Sequence, residues 1–492
     1  MASAGLRGDG SPGDLSPEVR KSGSPEVGRV AIVGGGIGGL SLAFRLVRSG
    51  IPAQRITIFE AGPRLGGLIQ STRRDGFLIE HGPDSILRAK PAGIALWDEL
   101  GLSDQIVGTE PSARTAMIAR GKQLFPVPEG LYLLAPGKIG PLLRTPLLSW
   151  RGKLRAGMDL ILPRRSPQAP EESLGQFVRR RFGRELFERI AQPLAAGIYT
   201  ADPEKLSVAA TMPQFLAWEQ EHRSLILAAK KRQRDEASGS RYGLFASLRD
   251  GLHTMVSRLH EQLGGVDIRL NTAVTGLARH DGQWQVASQQ GARQQDTVTA
   301  SHIALCGPAH LAAQLLQPVD EPLASELSGI PYAGAVILNL AFPRQALPDL
   351  PMAAGFVVPY REGRQILAAT FMSQKYADRA PADTVLLRVF LGGAGDSKQL
   401  QRSDAELVAA ACVDLRELVQ LNDRPLWYEV DRWPLTMAQY HLGHRDRVAH
   451  IRTRSAAIPG LALIGNGYEG VGIPDIIAQA NRVAAGWLAR SE

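Results

Sequence analysis

The chain reads Arg29-Val30-Ala31-Ile32-Val33-Gly34-Gly35-Gly36-Ile37-Gly38-Gly39 near its N-terminus, and this stretch decides the fold. The residues before the first glycine are a short, mostly apolar run that suits a buried parallel strand. The glycines then follow the spacing G-x-G-x-x-G. Gly34 suits a tight turn, Gly36 a close approach of the backbone to a pyrophosphate, and Gly39 the packing of a helix on the strand. The stretch therefore predicts a phosphate-binding loop that leads into a helix N-terminus.

The elements after this loop continue the same pattern. Residues 40–47 have apolar side chains at helical spacing, and residues 55–60 form a second apolar run that ends in Glu60. Glu60 lies about 20 positions after the last glycine, where a carboxylate accepts ribose hydroxyls in dinucleotide-binding folds. A glycine-rich turn in an unrelated α/β protein is the alternative. The order of the elements favours a doubly wound, Rossmann-like α/β domain.

A second glycine pair follows the acidic residue in the run Glu60-Ala61-Gly62-Pro63-Arg64-Leu65-Gly66-Gly67. A nicotinamide dehydrogenase would normally enter a helix directly after the acid. A further close backbone approach, with Arg64 available for phosphate or ribose, suits a longer ligand that lies extended through the domain. This run therefore favours FAD over NAD, although Arg64 read alone could be a solvated surface arginine.

Another glycine-rich stretch lies far along the chain and reads Ile464-Gly465-Asn466-Gly467-Tyr468-Glu469-Gly470-Val471-Gly472-Ile473. A strand is predicted over 461–464, and a helix is predicted to start at Pro474-Asp475, because proline is tolerated in a first turn. So many glycines would be costly in conformational entropy unless a ligand came close. A helix N-terminus here would stabilise the negative charge that a flavin ring gains on reduction. We expect both glycine stretches to bind one FAD.

The composition is that of an ordinary globular protein. The chain has 492 residues, of which 44% are hydrophobic and 21% charged, enough for two or three domains. A net charge of +8 permits an acidic partner but does not select one. Only Cys306 and Cys412 are present, which excludes a disulfide framework and a cysteine-based metal site and suits a reducing cytosol. No apolar run approaches the roughly 18 residues of a transmembrane helix.

Residues 1–28 are rich in glycine, serine and proline. They lack the apolar core of a secretory signal, and their acidic residues argue against an organellar transit peptide. We expect a disordered N-terminal extension and order from about Arg29.

Three further segments narrow the family. The first is Asp75-Gly76-Phe77-Leu78-Ile79-Glu80-His81-Gly82-Pro83-Asp84-Ser85, and the second is the run 193–207, which contains Gly197-Ile198-Tyr199-Thr200-Ala201-Asp202. The third comprises Trp433, the run 437–444 and the run 468–475. In this chain order they resemble the FAD-dependent protoporphyrinogen and coproporphyrinogen oxidases of the bacterial type, within the amine-oxidase-like flavoproteins. The resemblance extends from about Arg29 to the C-terminal run.

The resemblance implies a mixed α/β (α+β) fold with three parts: an FAD-binding Rossmann-like domain, an antiparallel-sheet substrate domain, and a helical domain that could face a membrane. The expected boundaries are 29–90, 245–320 and 430–492 for the FAD-binding domain, 91–215 for the helical domain, and 216–244 and 321–429 for the substrate-binding domain. Residues 334–341 and 384–391 alternate like strands of an antiparallel sheet, the expected roof over the flavin. Residues 265–288 are predicted to be strands joined around His280-Asp281-Gly282, and His302–Cys306 is predicted to be a buried strand.

The resemblance also assigns site residues by position. Those expected to bind the cofactor are Gly34, Gly35, Gly36, Ile37, Gly38, Gly39, Glu60, Ala61, Arg64, Gly66, Gly67, Gly82, Pro83, Asp84, Ser85, Val274, Trp433, Gly465, Val471, Gly472 and Ile473. By the same resemblance the loop Gly82-Pro83-Asp84-Ser85 is expected to line the flavin ring, and a backbone contact to the adenine is expected near Val274. Those expected to line the substrate pocket are Gly197, Phe356, Val357 and Phe390, each of which is more simply a core residue when read alone. No side chain stands out as a general base, since the flavin carries the redox chemistry.

The function implied is a six-electron oxidation of a porphyrinogen in haem biosynthesis, with dioxygen as the electron acceptor. The sequence leaves protoporphyrinogen and coproporphyrinogen both open. An amine oxidase would often have a flavin-linking cysteine near the C-terminal run, and none is there; the run 193–207 argues against a carotenoid desaturase. A non-catalytic protein that binds FAD or a tetrapyrrole is the alternative from another class. A homodimer is a reasonable default.

One position departs from the family. Mitochondrial members have an arginine, thought to hold a substrate propionate, where this chain has Ala116, with Arg114 and Arg120 nearby. The anchoring of the substrate carboxylates is therefore open.

The stretch 124–165 is apolar and basic, with Glu129 and Asp159 as its only acids. Such a composition can lie on an anionic bilayer, although a helical domain with an apolar core face is the simpler interpretation. The expected location is the cytoplasm, with peripheral membrane contact as a hypothesis. His441 and His444 have a spacing that could bind a metal, but no carboxylate–histidine motif surrounds them. The basic run 230–234 is more simply a solvated helix face than a nucleic-acid site.

Overall fold

The computed structural model describes residues 27–132, 135–236, 244–291, 294–394 and 396–489. The expected disordered extension over 1–28 lies outside the described residues except for its last two positions.

The strands, in chain order, are β1 (Val30–Val33), β2 (Ile56–Phe59), β3 (Ser71–Arg74), β4 (Phe77–Glu80), β5 (Ile86–Leu87), β6 (Ile106–Gly108), β7 (Ala116–Arg120), β8 (Gln123–Pro126), β9 (Leu131–Tyr132), β10 (Ala135–Pro136), β11 (Phe245–Leu248), β12 (Asp267–Arg269), β13 (Thr272–His280), β14 (Gln283–Gln290), β15 (Gln294–Ala300), β16 (His302–Cys306), β17 (Tyr332–Pro343), β18 (Gly355–Val357), β19 (Ile366–Phe371), β20 (Thr384–Gly392), β21 (Trp427–Ala438) and β22 (Leu461–Ile464).

The α-helices are α1 (Ile37–Arg48), α2 (Pro91–Glu99), α3 (Ile139–Arg144), α4 (Trp150–Gly157), α5 (Leu174–Phe182), α6 (Arg184–Leu186), α7 (Gln192–Tyr199), α8 (Val208–Thr211), α9 (Pro213–His222), α10 (Leu225–Glu236), α11 (His253–Glu261), α12 (Ala309–Leu316), α13 (Glu321–Ser328), α14 (Met372–Lys375), α15 (Asp404–Val419), α16 (His444–Ala456) and α17 (Ile473–Ala489). A π-helical segment, Phe187–Ala191, precedes α7.

A five-stranded parallel sheet in the order β12-β2-β1-β16-β22 forms the first layer. Its strands are short and apolar, as expected for strands that are covered on both faces. Helices α1 and α17 pack against one another in the core cluster beside it. The predicted strands over 29–33, 55–60, 302–306 and 461–464 are confirmed, as are the helix after the glycine loop and the helix at Pro474.

A seven-stranded sheet in the order β21-β17-β20-β19-β18-β7-β8 forms the second main layer. The predicted strands over 334–341 and 384–391 are confirmed as β17 and β20, which pair antiparallel. Helix α15 packs on one face of this sheet, in a core cluster with β17, β19 and β20. The predicted strands around His280-Asp281-Gly282 are also confirmed: β13 and β14 join there and pair with each other, and β14 also pairs with β15.

Three segments lie differently from the expected domain boundaries. β7 and β8, expected within a helical domain, extend the seven-stranded sheet, where β7 pairs in parallel with β18. Residues 430–438, expected with the FAD-binding domain, belong to β21 of that same sheet. Helix α10, expected with the substrate sheet, packs in the helical cluster through residues such as Leu225 and Ala229. Each placement depends on pairing or packing between residues distant in sequence, which local patterns do not report.

The helical part of the molecule, α3 to α10, packs around one apolar cluster. This part of the molecule also contains a buried ion pair. Arg181 and Asp159 form it, and both are fully buried. None of the helices in the described part of the chain is both long and apolar enough to cross a bilayer.

Candidate functional site

The glycine loop joins β1 to α1 at the carboxyl edge of the parallel sheet. Gly34 has a φ of +109°, and a Cβ atom there would lie 2.3 Å from the carbonyl oxygen of Cys306. A Cβ atom on Gly39 would lie 2.0 Å from the carbonyl oxygen of Gly34. The protein's own packing therefore requires both glycines.

Gly36 differs from its neighbours. It is the N-cap of α1, and no side chain caps the helix at this end. The nearest atom to a Cβ atom placed on Gly36 would be the Cα atom of Gly67, at 4.0 Å. The loop is thus open at Gly36, beside the second glycine pair Gly66-Gly67. At this point the N-terminus of α1 presents N–H groups. A pyrophosphate fits this space.

The carboxylate of Glu60 lies at the same loop. It accepts hydrogen bonds from the backbone N–H of Gly35, at 2.8 Å, and from that of Gly62, at 2.7 Å. Arg64 folds back on its own turn and donates to the carbonyl oxygens of Leu65, Gly67 and Ile69. Arg64 is thus not a solvated surface arginine; its guanidinium shapes the turn that carries the second glycine pair, and Ala61 lies between this turn and Glu60.

The two glycine stretches meet in space. A Cβ atom on Gly38 would lie 2.9 Å from Cγ2 of Ile464, at the end of β22, and 3.1 Å from Cγ2 of Ile476, in the first turn of α17. At the start of α17 the N–H of Gly472 donates to Asp475, whose carboxylate also accepts from Lys90 Nζ at 2.6 Å. Gly465, Val471 and Ile473 belong to this second stretch. The start of α1 and the start of α17 therefore lie side by side, as expected if one ligand spans both.

The two glycine stretches together form what we call the glycine cradle, and Val274 lies near Glu60 at one end of it. β13, which carries it, begins with a hydrogen bond from the N–H of Thr272 to the carbonyl oxygen of Glu60, at 2.8 Å. The pairing of β13 with β14 is irregular between Val274 and Gly276. This placement is consistent with the predicted contact to an adenine.

The loop Gly82-Pro83-Asp84-Ser85 follows β4 and is held on several sides. Lys375 Nζ donates to the carboxylate of Asp84 at 2.8 Å, and Ser247 Oγ donates to its carbonyl oxygen at 2.7 Å. Burial would raise the pKa of Asp84, but the charges of Lys375 and Arg388 outweigh burial and hold this pKa well below its usual range. Asp84 is therefore ionised and serves as a fixed anchor for the loop.

His81, directly before this loop, contacts β21. Its Nδ1 lies 2.9 Å from Asp431 and its Nε2 lies 2.8 Å from Thr72 Oγ1, while the indole N–H of Trp433 donates to its carbonyl oxygen at 2.8 Å. Burial would lower the pKa of His81, but the hydrogen bond and charge of Asp431, with Glu429 nearby, raise it overall. Trp433 thus reaches the loop predicted to line the flavin.

Three of the four residues predicted to line the substrate pocket, Gly197, Val357 and Phe390, face the same space, and we call this set the substrate wall. In the seven-stranded sheet Val357 pairs with Ala368, and Ala368 pairs with Phe390, so that Val357 and Phe390 point to the same face. A Cβ atom on Gly197 of α7 would lie 3.3 Å from Cγ1 of Val357. Gly197, Val357 and Phe390 therefore border the space between α7 and the sheet.

Phe356 does not join this wall. As the neighbour of Val357 on a strand, it points to the opposite face of the sheet. There it is buried in the cluster below α15, with its ring 5.9 Å from that of Phe371. Its side chain serves the core, and a contact with substrate is not expected of it.

His444, the second histidine of the pair at 441 and 444, is buried inside the protein. The ring of His444 stacks on Tyr440 with 3.9 Å between centroids, and burial lowers its pKa to about 4. Among the described residues no group of three or more potential ligands could hold a metal ion.

Sequence reasoning missed Lys375 and Arg388, which contact the loop at Gly82 and Asp84. Arg388 is the only charged residue in β20, a mostly apolar and mostly buried strand. A lone charge in such a strand was the available signal, because a buried guanidinium needs a partner.

These residues fit an FAD: an open glycine at a helix N-terminus, a carboxylate beside it, and a second helix N-terminus next to the first. The comparison with protein families agrees. Residues 37–486 match the family of flavin containing amine oxidoreductases.

The chain belongs to this family.

Its relatives include several porphyrinogen oxidases. The chain is 36% identical over 460 residues to coproporphyrinogen III oxidase of Bacillus subtilis, with 92% of this chain and 96% of the relative covered. It is 30% identical over 475 residues to the chloroplastic protoporphyrinogen oxidase 1 of Arabidopsis thaliana, with 92% and 86% covered. A crystal structure from Exiguobacterium sp. 255-15, assigned as a protoporphyrinogen oxidase, superimposes with a TM-score of 0.82 at 31% identity, covering 94% of this chain and 99% of that one. The protein is thus an FAD-dependent oxidoreductase of the porphyrinogen oxidase type.

Proposed function

We propose that this protein oxidises a porphyrinogen to the corresponding porphyrin in haem biosynthesis, with coproporphyrinogen III as its substrate and dioxygen as the electron acceptor. The proposal rests on one observation: the chain combines the glycine cradle with a wall formed by Gly197, Val357 and Phe390. A flat, apolar macrocycle suits a wall of this kind.

The identity of the substrate follows the relatives. Three coproporphyrinogen III oxidases, all bacterial, are 36%, 34% and 32% identical to this chain. The chloroplastic and bovine protoporphyrinogen oxidases are 29–31% identical. Ala116, in place of the arginine expected in mitochondrial members, also separates this chain from those members. Protoporphyrinogen IX is therefore the second candidate.

In this function the residues of the chain bind the cofactor, orient the substrate and exclude water from the site. The N–H groups at Gly36 and the start of α1 would hold the pyrophosphate, and Glu60 would accept the ribose hydroxyls. The N-terminus of α17 would favour negative charge on the ring. Bound FAD supplies the acceptor for the hydride that leaves a meso carbon. The wall at Gly197 and Val357 would hold that carbon near the cofactor, which supplies rate by orientation.

Anaerobic mixing of the purified, FAD-loaded protein with each porphyrinogen tests this function. We expect coproporphyrinogen III to bleach the flavin absorbance at a rate at least as fast as turnover in air, and protoporphyrinogen IX to bleach it more slowly. Faster bleaching by protoporphyrinogen IX would reverse the substrate assignment. Bleaching by neither, with the flavin bands present, would instead indicate a non-catalytic binding protein.

We also propose that the helical part contacts an anionic membrane surface. Trp150, Leu154, Met158 and Ile161 follow one another at helical spacing through α4 and the turn after it, and their exposed fractions are 69%, 72%, 43% and 70%. Ile139 and Leu143 of α3 are also exposed large apolar side chains of this region. Such exposure of apolar side chains indicates an interaction site.

The charges beside this apolar ridge favour a lipid partner. Arg144 and Arg151 are exposed, and Lys153 Nζ lies 4.9 Å from the ring centroid of Trp150. Asp159, one of the two acids of the stretch, is fully buried against Arg181 and adds no negative charge to this surface. An apolar face with flanking cations is typical of helices that lie in the interface of anionic bilayers.

The double variant Trp150→Ser/Leu154→Ser should lose at least tenfold in affinity for vesicles of anionic phospholipid at low salt, because it removes two of the three most exposed apolar side chains of the ridge. Flotation with such vesicles measures the effect. Leu311→Ser, at an exposed leucine on α12, is the matched control and should float like the wild type. A wild-type protein that stays unbound at low salt would refute the membrane contact.

A further inference from the structure

Three donors on the roof over the cofactor hold the loop at Gly82. The indole N–H of Trp433 donates to the carbonyl oxygen of His81, and Arg388 Nη2 donates to that of Gly82. Lys375, the last residue of the short helix α14 after β19, binds the carboxylate of Asp84. Because each donor belongs to the seven-stranded sheet or to the short helix that follows β19, the sheet fixes the position of this loop.

Arg388 is the most deeply buried of the three. Only 3% of it is exposed, and its Nε has no hydrogen-bond partner among the described residues. Its nearest carboxylate, Asp84, lies 3.6 Å from Nη1 and is shared with Lys375. Removing a guanidinium from water is unfavourable unless hydrogen bonds and an opposite charge compensate it. Here Asp84, which is shared with Lys375, compensates the charge of Arg388 only in part.

The side of the loop that faces Arg388 has an excess of positive charge. Three cations, Lys375, Arg379 and Arg388, face two carboxylates, Glu80 and Asp84. Burial raises the pKa of Glu80, although Ser71, Arg379 and the N–H of Leu252 oppose this shift.

The opposite side of the loop adds no such excess. His81 lies between Asp431, at 2.9 Å, and Glu429, at 3.7 Å. Arg74 also lies near Glu429, at 3.5 Å. These charges roughly balance when His81 is protonated, so the excess at Arg388 is the one that acts on the loop.

Arg388 also contacts the substrate wall. Its guanidinium carbon lies 4.9 Å from the centroid of the Phe390 ring, two residues away on the same face of β20. One side chain therefore contacts both the loop expected to line the flavin and a residue expected to line the substrate pocket.

We propose that Arg388 is a positioning residue for the flavin reaction. It holds Gly82 and Asp84 against the substrate wall, and its charge, with that of Lys375, favours the reduced flavin, which carries negative charge. The inference rests on the proposed placement of the flavin ring beside this loop, and it does not depend on which substrate is oxidised.

The test compares Arg388→Met and Arg388→Lys in the FAD-loaded protein without porphyrinogen. We expect Arg388→Met to shift the equilibrium towards oxidised flavin at least tenfold, which is about 30 mV in midpoint potential for two electrons. Its affinity for sulfite, a probe of positive charge near the ring, should fall by a similar factor. Arg388→Lys retains the charge and should retain most of the potential.

Arg364→Met is the matched control. Arg364 is a largely buried arginine that pairs with Asp414 of α15 at 3.2 Å, on the opposite side of the same sheet. This variant should lose thermal stability without a change in potential or sulfite affinity. If Arg388→Met behaved like Arg364→Met, its role would be purely structural and the proposal would be overturned.

Two further results separate this proposal from others. If Arg388→Met does not bind FAD, Lys375→Met is measured in its place, because Lys375 is the other cation that contacts Asp84. An unchanged midpoint potential in Lys375→Met would equally overturn the proposal. Failure of both porphyrinogens to bleach the flavin would refute the proposed function, while a shifted potential in the variants would leave the role of Arg388 intact.

Discussion

Replacing Gly36 by valine should abolish FAD binding and leave the fold intact. The backbone of Gly36 has φ −75° and ψ −176°, an extended conformation that valine adopts readily. A Cβ atom there would meet nothing of the protein closer than the Cα atom of Gly67, at 4.0 Å. The space that the valine fills is therefore that of the ligand. We expect affinity for FAD to fall at least 100-fold, about 2.8 kcal/mol.

The FAD content of the purified protein and its flavin absorbance measure the loss, and far-UV circular dichroism reports the fold. Gly39→Val is the control in the same loop: its Cβ atom would lie 2.0 Å from the carbonyl oxygen of Gly34, so it should disturb the fold itself. Normal FAD content in Gly36→Val would show that the cofactor does not approach this loop.

Local patterns predicted the cofactor cradle because its parts are close in sequence. The run from Val30 to Gly39 determines a strand, a turn and a helix N-terminus within a few residues, and each follows from steric or hydrogen-bonding needs of those residues alone. The same holds for the C-terminal stretch, where Pro474 occupies the first turn of α17. That the two stretches lie side by side was inferred from their shared ligand rather than from any local pattern.

The contacts around the loop at Gly82 could not be predicted in this way. Lys375 and Asp84 are 291 positions apart, and Arg388 and Gly82 are 306 positions apart. Which face of the sheet a residue occupies depends on register, and neighbouring residues on a strand face opposite sides. For that reason the pair Phe356 and Val357, both assigned to the pocket by resemblance, divides between the core and the substrate wall.

Replacing Arg181 by methionine should destabilise the helical part of the molecule by about 3–5 kcal/mol. Arg181 is fully buried, and its Nε donates to Asp159 at 2.6 Å. Its Nη atoms donate to the carbonyl oxygens of Asp159, Pro163 and Arg223. Without the guanidinium, the carboxylate of Asp159 would remain buried with only Ser224 and the N–H of Ile226 as donors.

Denaturant unfolding followed by circular dichroism measures this free energy of unfolding. Arg184→Met is the matched control: its side chain is 82% exposed and pairs only with Glu188 among the contacts described, so we expect no measurable change. An Arg181→Met variant as stable as the wild type would contradict the burial of this ion pair.

The consequence for activity should be selective. Arg181 ties α5 to α9 and to the turn at Asp159, and the same apolar cluster contains the residues of α7 around Gly197, on the substrate wall. The glycine cradle belongs to a different cluster, centred on α1 and α17. Loosening of the helices should therefore weaken the binding of porphyrinogen while FAD remains bound, so that KM for the porphyrinogen rises before the flavin absorbance is lost. Simultaneous loss of both would show that the two clusters unfold as one cooperative unit.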